Sequence, residues 1–179
     1  MATPMTIRTA DPLPVLHQLF SPAFPVGAFA YSHGLETAIT EGRVADAASL
    51  HDWVAAVTEH GAGWSDAVLI ARTAAGEDLA DLALALCVSP GRRTETLAQG
   101  TAFAATVRAV WGADVTDVAY PVAVGHTLRA LDLPLRDAIR LYLQAFAANL
   151  ISAGVRLIPL GQTDGQRLVL ALGPLFDRL

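Results

Sequence analysis

Apolar residues recur at helical spacing along most of the chain. Residues at i, i+3, i+4 and i+7 share one face of a helix. The stretch after Asp46 places apolar side chains at these positions: Leu50, Trp53, Val54 and Val57. Asp46 is a residue type that helix N-caps prefer, and Gly61 and Gly63 are expected to end the helix. The pattern therefore predicts an amphipathic helix that begins after Asp46.

Similar spacing predicts helices in most other segments, separated by glycine and proline. Residues 21–27 contain two prolines and a glycine and are expected to form an irregular turn. A new helix is predicted from Ala28 to Glu41, before Gly42. Ser65 or Asp66 is the expected N-cap of a later helix. Further helices are predicted over residues 13–20, 78–88, 94–111 and about 163–172, the last with Pro174 at its far end.

The longest helix is predicted to begin at Pro134 and to continue past Val155. Beyond Gln144 almost every position is apolar or small, and a helix that is apolar all round is buried on all sides. No segment shows the period-two alternation of a strand. The sequence therefore predicts an all-α fold over residues 1–179. We expect a single compact bundle of roughly eight to ten helices, with this long buried helix near the C-terminal end and residues 1–11 flexible.

The composition indicates either an unusually large core or apolar surface that a partner covers. Hydrophobic residues make up 53% of the chain and charged residues 16%, against typical values of about 45–50% and 25%.

The net charge of −5 argues against nucleic acid as the main ligand. The single cysteine, Cys87, fits a reducing compartment. Pro12–Leu35 is uncharged and long enough to cross a membrane, but its four prolines would break a spanning helix. We therefore expect a cytoplasmic protein.

No catalytic constellation is visible in the sequence. The five histidines include no i, i+4 pair and no HExxH motif, and Cys87 has no CxxC partner. A phosphate loop and a GxSxG elbow are also absent. We therefore predict no catalytic residues, no bound metal and no cofactor, and we favour a binding protein over an enzyme.

Two segments differ from a generic helical bundle. The first is SPAFPVGAFAYSHGLE at Ser21–Glu36, and the second is GVRLIPLGQTDGQ at Gly154–Gln166. The first is either a rigid helix–helix corner packed into the core or a recognition surface. The second is either an ordinary helix C-terminus, where Arg156 matches the helix dipole, or part of a site.

Both segments resemble the two signatures of the UreF family of urease accessory proteins, in the family's order. Arg92–Phe103 resembles the family's middle helix more loosely, so the resemblance covers about residues 13–172. Ala28, Ala30 and His33 depart from the residues that many relatives have. The resemblance implies an all-helical, non-catalytic homodimer. It also implies a C-terminal tail, which we expect to be missing after Leu179.

The resemblance further implies a role in nickel insertion. UreF-like proteins bridge UreD, also called UreH, and the GTPase UreG in the complex that loads nickel into apo-urease. Nickel and GTP would be handled by the partners, and this chain would act as a scaffold and a possible regulator of GTP hydrolysis by UreG. Two other classes stay open: a helical regulator with a small-molecule pocket lined by Trp111, Tyr142 and Phe146, and an enzyme with an unrecognised active site.

Glu36 and Arg156 are the leading candidates for partner binding. Each is a lone charge that flanks an apolar segment, a plausible position for an interface anchor. The alternative is that they pair with each other or cap helices. Four weaker candidates lie in the same two segments: Tyr31, His33, Gln162 and Asp164.

Overall fold

The computed structural model describes residues 11–179, and this part of the chain is helical without any strand. The all-α prediction is thereby confirmed. A 3-10 turn at Ala28–Ala30 accompanies nine α-helices within the described residues. These are α1 Leu13–Leu19, α2 Leu35–Thr40, α3 Ala47–His60, α4 Ala62–Ala74, α5 Ala80–Ala85, α6 Pro90–Trp111, α7 Tyr120–Ala130, α8 Leu135–Leu157 and α9 Gln162–Arg178.

The described chain divides into two compact units. The first comprises residues 11–27 and Val68–Ile139, and the second comprises Ala28–Ala67 and Arg140–Leu179. The single-domain organisation expected from the sequence stays a prediction. The predicted flexibility of residues 1–11 concerns residues that, except for Asp11, lie outside the described part. Asp11 accepts a hydrogen bond from the Leu13 N–H at the start of α1.

In the first unit, α6 packs along α7. The Thr96 hydroxyl accepts a hydrogen bond from the Tyr120 N–H at 3.1 Å, which satisfies one of the free donors at the start of α7. The Phe103 ring lies 5.3 Å from the ring of Tyr120 and 5.2 Å from that of Phe24. Aromatic pairs at these distances add to the energy of burial. A second apolar cluster of this unit contains Leu69, Leu79, Ala83, Ala119 and Val122.

In the second unit, α3 packs against α9. The Asp46 carboxylate accepts the Ser49 N–H at 2.9 Å and so caps α3 as predicted, with Leu50 and Val54 fully buried. The helix α9 buries one face against this core: Leu168, Leu172, Leu175 and Phe176. An ion pair between Arg178 and Glu59, 2.8 Å apart, links the end of α9 to α3.

Several predicted helix boundaries are wrong because capping differs from the expectation. The helix α4 already begins at Ala62, so Gly63 and both expected caps lie within it. The helix predicted over residues 94–111 begins earlier, at Pro90 in α6, because the Ser89 hydroxyl accepts the Arg92 N–H and caps the helix there.

Two other boundaries differ because tertiary packing decides where a helix stops. The predicted helix over residues 78–88 is only six residues long in α5. The helix α9 continues through Pro174 to Arg178, because the side chains that follow the proline, Leu175 and Phe176, are buried on its packed face.

Beyond Gln144 the helix α8 is predicted to be buried on all sides, and the structure corrects this in part. Ala147, Leu150 and Ile151 are buried, whereas Ser152 and Arg156 are exposed. Among the described residues α8 is the one helix with the length and apolar composition to cross a membrane, and half of its most apolar window is buried inside the protein. Core helices of soluble proteins have the same properties, so this is weak evidence for a membrane span.

Candidate partner-binding surface

The second half of α8 belongs to the second unit and carries Arg156 in its last turn. Arg156 Nη1 donates to the Ser152 hydroxyl at 2.9 Å, and both side chains are exposed. The helix dipole also favours a cation in the last turn. This agrees with the interpretation of the segment as an ordinary helix C-terminus. The Arg156 guanidinium nevertheless remains accessible from solvent, so capping and partner binding are compatible here.

Close contact with α3 fixes the position of this part of α8. A Cβ atom on Gly154 would lie 2.6 Å from Cδ2 of Leu50, a side chain that is itself fully buried. Only a residue without a side chain permits the two helices to approach this closely. The sequence GVRL therefore has a packing reason for Gly154 and an exposed charge two residues later, at Arg156.

Residues 28–33 are attached to α8 about two to three turns before Arg156. The Asn149 side-chain amide donates to the Ala28 carbonyl at 2.8 Å and lies 3.5 Å from the Tyr31 carbonyl. The edge of the His33 ring packs on Phe146, with ring centroids 4.9 Å apart. The structure therefore brings the first signature segment onto the helix that ends in the second.

The chain does not form the predicted helix from Ala28 to Glu41. It makes the 3-10 turn Ala28–Ala30, and α2 begins only at Leu35. His33 and Gly34 have φ angles of 49° and 79°, in the left-handed region that interrupts a right-handed helix. Glycine adopts this conformation without steric cost, and the Trp53 ring lies directly against Gly34.

The aromatic residues of the first segment separate into two roles. Phe24 is buried and its ring also stacks on Trp111 at 6.3 Å. Phe29, in contrast, is 77% exposed on the 3-10 turn, and Tyr31 is half-buried. Phe24 therefore agrees with the interpretation of a corner packed into the core, whereas the exposed Phe29 leaves the recognition surface as a prediction.

Glu36 lies in the first turn of α2 and is exposed. An acidic side chain is favourable at this end of a helix. The described residues contain no ion pair between Glu36 and Arg156, because Arg156 interacts with Ser152 instead. The alternative in which these two charges pair with each other is therefore wrong.

Asp164 has a capping role and Gln162 does not. One Asp164 oxygen accepts the Gly161 N–H at 3.2 Å, and the other accepts from Arg167 at 2.8 Å. Gln162 is the exposed first residue of α9. The geometry thus gives Asp164 a local structural function, while partner binding by either residue stays a prediction.

The three aromatic residues suggested for a small-molecule pocket have other neighbours. Trp111 stacks on Phe24 in the first unit. In the second unit, Phe146 contacts His33, and the Tyr142 hydroxyl donates to the buried Asp66 carboxylate at 2.7 Å. No group of three or more His, Cys, Asp or Glu side chains within residues 11–179 is arranged to hold a metal ion.

Sequence reasoning missed Phe29 and Asn149. Phe29 is one of several aromatics in its segment, and nothing local distinguishes the exposed one. Asn149 carried a usable signal, because a polar side chain within a stretch of helix predicted to be buried needs a hydrogen-bond partner. That signal could identify the residue but not the carbonyl groups that it contacts.

Comparison with known proteins identifies the family to which the chain is similar. The model of the UreF family matches residues 44–173. A urease accessory protein UreF from Cereibacter sphaeroides strain KD131 is 54% identical over 167 residues, which cover 92% of this chain and 80% of the relative. This alignment omits so little of the chain that it must include Ser21–Glu36, which precedes the residues matched by the family model.

Other relatives extend the same result over nearly the whole chain. The urease accessory protein UreF of Roseobacter denitrificans is 49% identical over 182 residues, 99% of this chain and 82% of the relative. That of Rhodopseudomonas palustris strain HaA2 is 46% identical over 191 residues, with 97% and 81% covered. The class of protein is thus that of the urease accessory proteins. The chain belongs to the UreF family.

Proposed function

We propose that this chain bridges UreD (UreH) and the GTPase UreG in the complex that inserts nickel into apo-urease. The observation that supports this best is the surface of the second unit, where α8 carries both Arg156 and the attached residues 28–33. Asn149 and Arg156 are seven residues apart, which places them on the same face of α8 about 10 Å apart along its axis. Phenylalanine and arginine are both enriched at protein interfaces relative to the rest of the surface.

In this proposal the chain is a scaffold without catalysis of its own. Nickel and GTP belong to the partners, and the chain acts by recruitment. Holding the nickel-carrying partner beside apo-urease raises the effective concentration of nickel there. A regulatory effect on GTP hydrolysis requires contacts that differ between the two states of the GTPase. We further propose that the chain forms a homodimer in the cytoplasm and that neither nucleic acid nor a membrane is among its partners.

The test is reconstitution of urease maturation from purified proteins. Apo-urease, UreD, UreG, GTP and nickel are combined with and without this chain, and the nickel bound by urease is measured. We expect nickel loading to depend on the chain, and immobilised chain to retain UreD and UreG. Failure to retain either partner would overturn the bridging role. GTP hydrolysis by the isolated chain would overturn its assignment as a non-catalytic scaffold.

A further inference from the structure

Residues 25–34 have few apolar side chains that could hold them in place. Phe24 before this stretch and Leu35 after it are buried. Between them, no residue whose side chain is described is buried, and Phe29 points largely into solvent. The burial of apolar surface, which positions most of a folded chain, therefore contributes little here. Specific contacts must determine the conformation of this segment.

Asn149 supplies the polar part of those contacts. Its amide nitrogen is 2.8 Å from the Ala28 carbonyl oxygen, which also accepts the Tyr31 N–H at 3.2 Å. The Tyr31 carbonyl is 3.5 Å from the same nitrogen. Two carbonyl oxygens on one side of the side chain require its NH2 group there, because a carbonyl cannot donate. The Tyr31 N–H thus closes the 3-10 turn through a hydrogen bond to the Ala28 carbonyl, and the Asn149 side chain on α8 binds the same carbonyl.

We infer that Asn149 is a positioning residue for partner binding, which fixes the turn Ala28–Ala30 so that Phe29 is presented beside the Arg156 face of α8. This inference rests on the proposed function. Asn149 acts on partner binding indirectly, because it holds the turn that carries Phe29. Asn149 is half-buried under the segment, so it does not offer its own amide to a partner. Its effect on binding passes through Phe29.

Two substitutions of Asn149 test the role of the amide donor. Asn149→Asp keeps the shape and replaces the NH2 group by an oxygen that repels both carbonyls, and Asn149→Ala removes the group without adding charge. Gln144→Glu and Gln144→Ala are the matched controls, because Gln144 is an exposed amide on the same helix. The Ala variants keep the test valid if the buried charge of Asn149→Asp impairs folding.

Hydrogen exchange of the chain alone is the first measurement. We expect the Tyr31 amide to exchange about two- to tenfold faster in Asn149→Ala, the range that follows from the loss of one ordinary hydrogen bond. Amides of the buried residues Leu143 and Ala147 should not change. Equal acceleration of all protected amides in the second unit, or no acceleration at Tyr31, would overturn the inference.

Binding of purified UreD and UreG is the second measurement, made as a double-mutant cycle with Phe29→Ala. We expect Asn149→Ala to weaken binding in the unaltered background and to have no further effect once Phe29 is removed, because both changes interrupt the same contact. Additive losses would contradict the inference. If the unaltered chain binds neither partner, the proposed function fails, and hydrogen exchange alone then decides whether Asn149 holds the segment.

Discussion

Tyr142 on α8 donates its phenolic hydrogen to a carboxylate oxygen of Asp66 on α4, with 2.7 Å between the two oxygens. Both side chains are more than nine-tenths buried. The sequence suggested Asp66 as the N-cap of α4, a solvent-facing role. In the structure it is an internal acceptor, and the hydrogen bond joins residues 76 positions apart.

Removal of the Tyr142 hydroxyl should therefore destabilise the protein. We expect Tyr142→Phe to lower the free energy of unfolding by about 1–3 kcal/mol, because a buried acceptor loses a donor that water cannot replace. Tyr31→Phe is the control, since this tyrosine is only half-buried and its hydroxyl makes no hydrogen bond to any residue within 11–179, and its effect should stay within about 0.5 kcal/mol. Urea denaturation measures both, and equal effects would contradict the assignment.

Substitution by alanine should have opposite effects at two helical glycines, because only Gly154 is packed against a buried side chain, that of Leu50. Gly154→Ala should destabilise by about 1–3 kcal/mol, because the added methyl group overlaps a fully buried side chain. Gly91→Ala in the first turn of α6 would place its methyl group 3.8 Å from the Ser89 Oγ atom, an ordinary contact distance, and should stabilise by up to about 1 kcal/mol through helix propensity.

Shortening the neighbouring side chain provides a check on the cause. In a Leu50→Val background the cost of Gly154→Ala should fall, because the smaller side chain leaves room for the methyl group. An unchanged cost, measured by denaturant unfolding of all four proteins, would show that the overlap is not the reason.

His126 in α7 predicts a loss of stability on acidification. Burial lowers the pKa of His126, the nearby Asp78 carboxylate opposes this shift, and Arg129 adds to it. Because the folded protein binds the proton less readily than the unfolded chain, stability should decrease as the pH falls through the ordinary histidine value of about 6.5. His126→Gln should flatten the pH dependence of the free energy of unfolding around this value, measured by urea denaturation at several pH values, and an unchanged pH dependence would contradict the assignment.

Phe29 should contribute to partner binding without contributing to stability. We expect Phe29→Ala to weaken retention of UreD and UreG by at least about fivefold, which corresponds to the loss of more than about 1 kcal/mol typical of a hot-spot residue. Leu170→Ala is the matched control, because Leu170 is 80% exposed on α9 of the same unit. A melting temperature equal to that of the unaltered chain would show that both variants remain folded. Equal binding by the two variants would argue against Phe29.

Arg156 and Glu36 are expected to act in nickel loading. Arg156→Ala and Glu36→Ala should leave helicity unchanged by circular dichroism, because both side chains are exposed, and should lower the nickel content of urease in reconstitution. Arg136→Ala controls for removal of a positive charge from an exposed position of α8. Full nickel loading with both variants would exclude these two charges from the interface.

Local signals were sufficient for much of the helical framework. The cap at Asp46 and the spacing of Leu50 and Val54 predict α3 because both depend on residues within two helical turns. Left-handed glycines at Gly42 and Gly112 likewise agree with predicted helix ends. Prediction was wrong where a boundary depended on distant packing, as at the end of α9, or on an unusual backbone conformation, as at His33.

The sequence by itself determined the all-helical class, the two signature segments and the lone charges Glu36 and Arg156, because periodicity, capping and motif order are local properties. Only the tertiary structure decided which side chains of those segments face solvent. The hydrogen bond from Asn149 to Ala28 spans 121 positions, and Phe24 is buried against the distant residues Phe103 and Trp111, whereas Phe29 is exposed. No local rule specifies such contacts, since they depend on which distant elements the fold brings together.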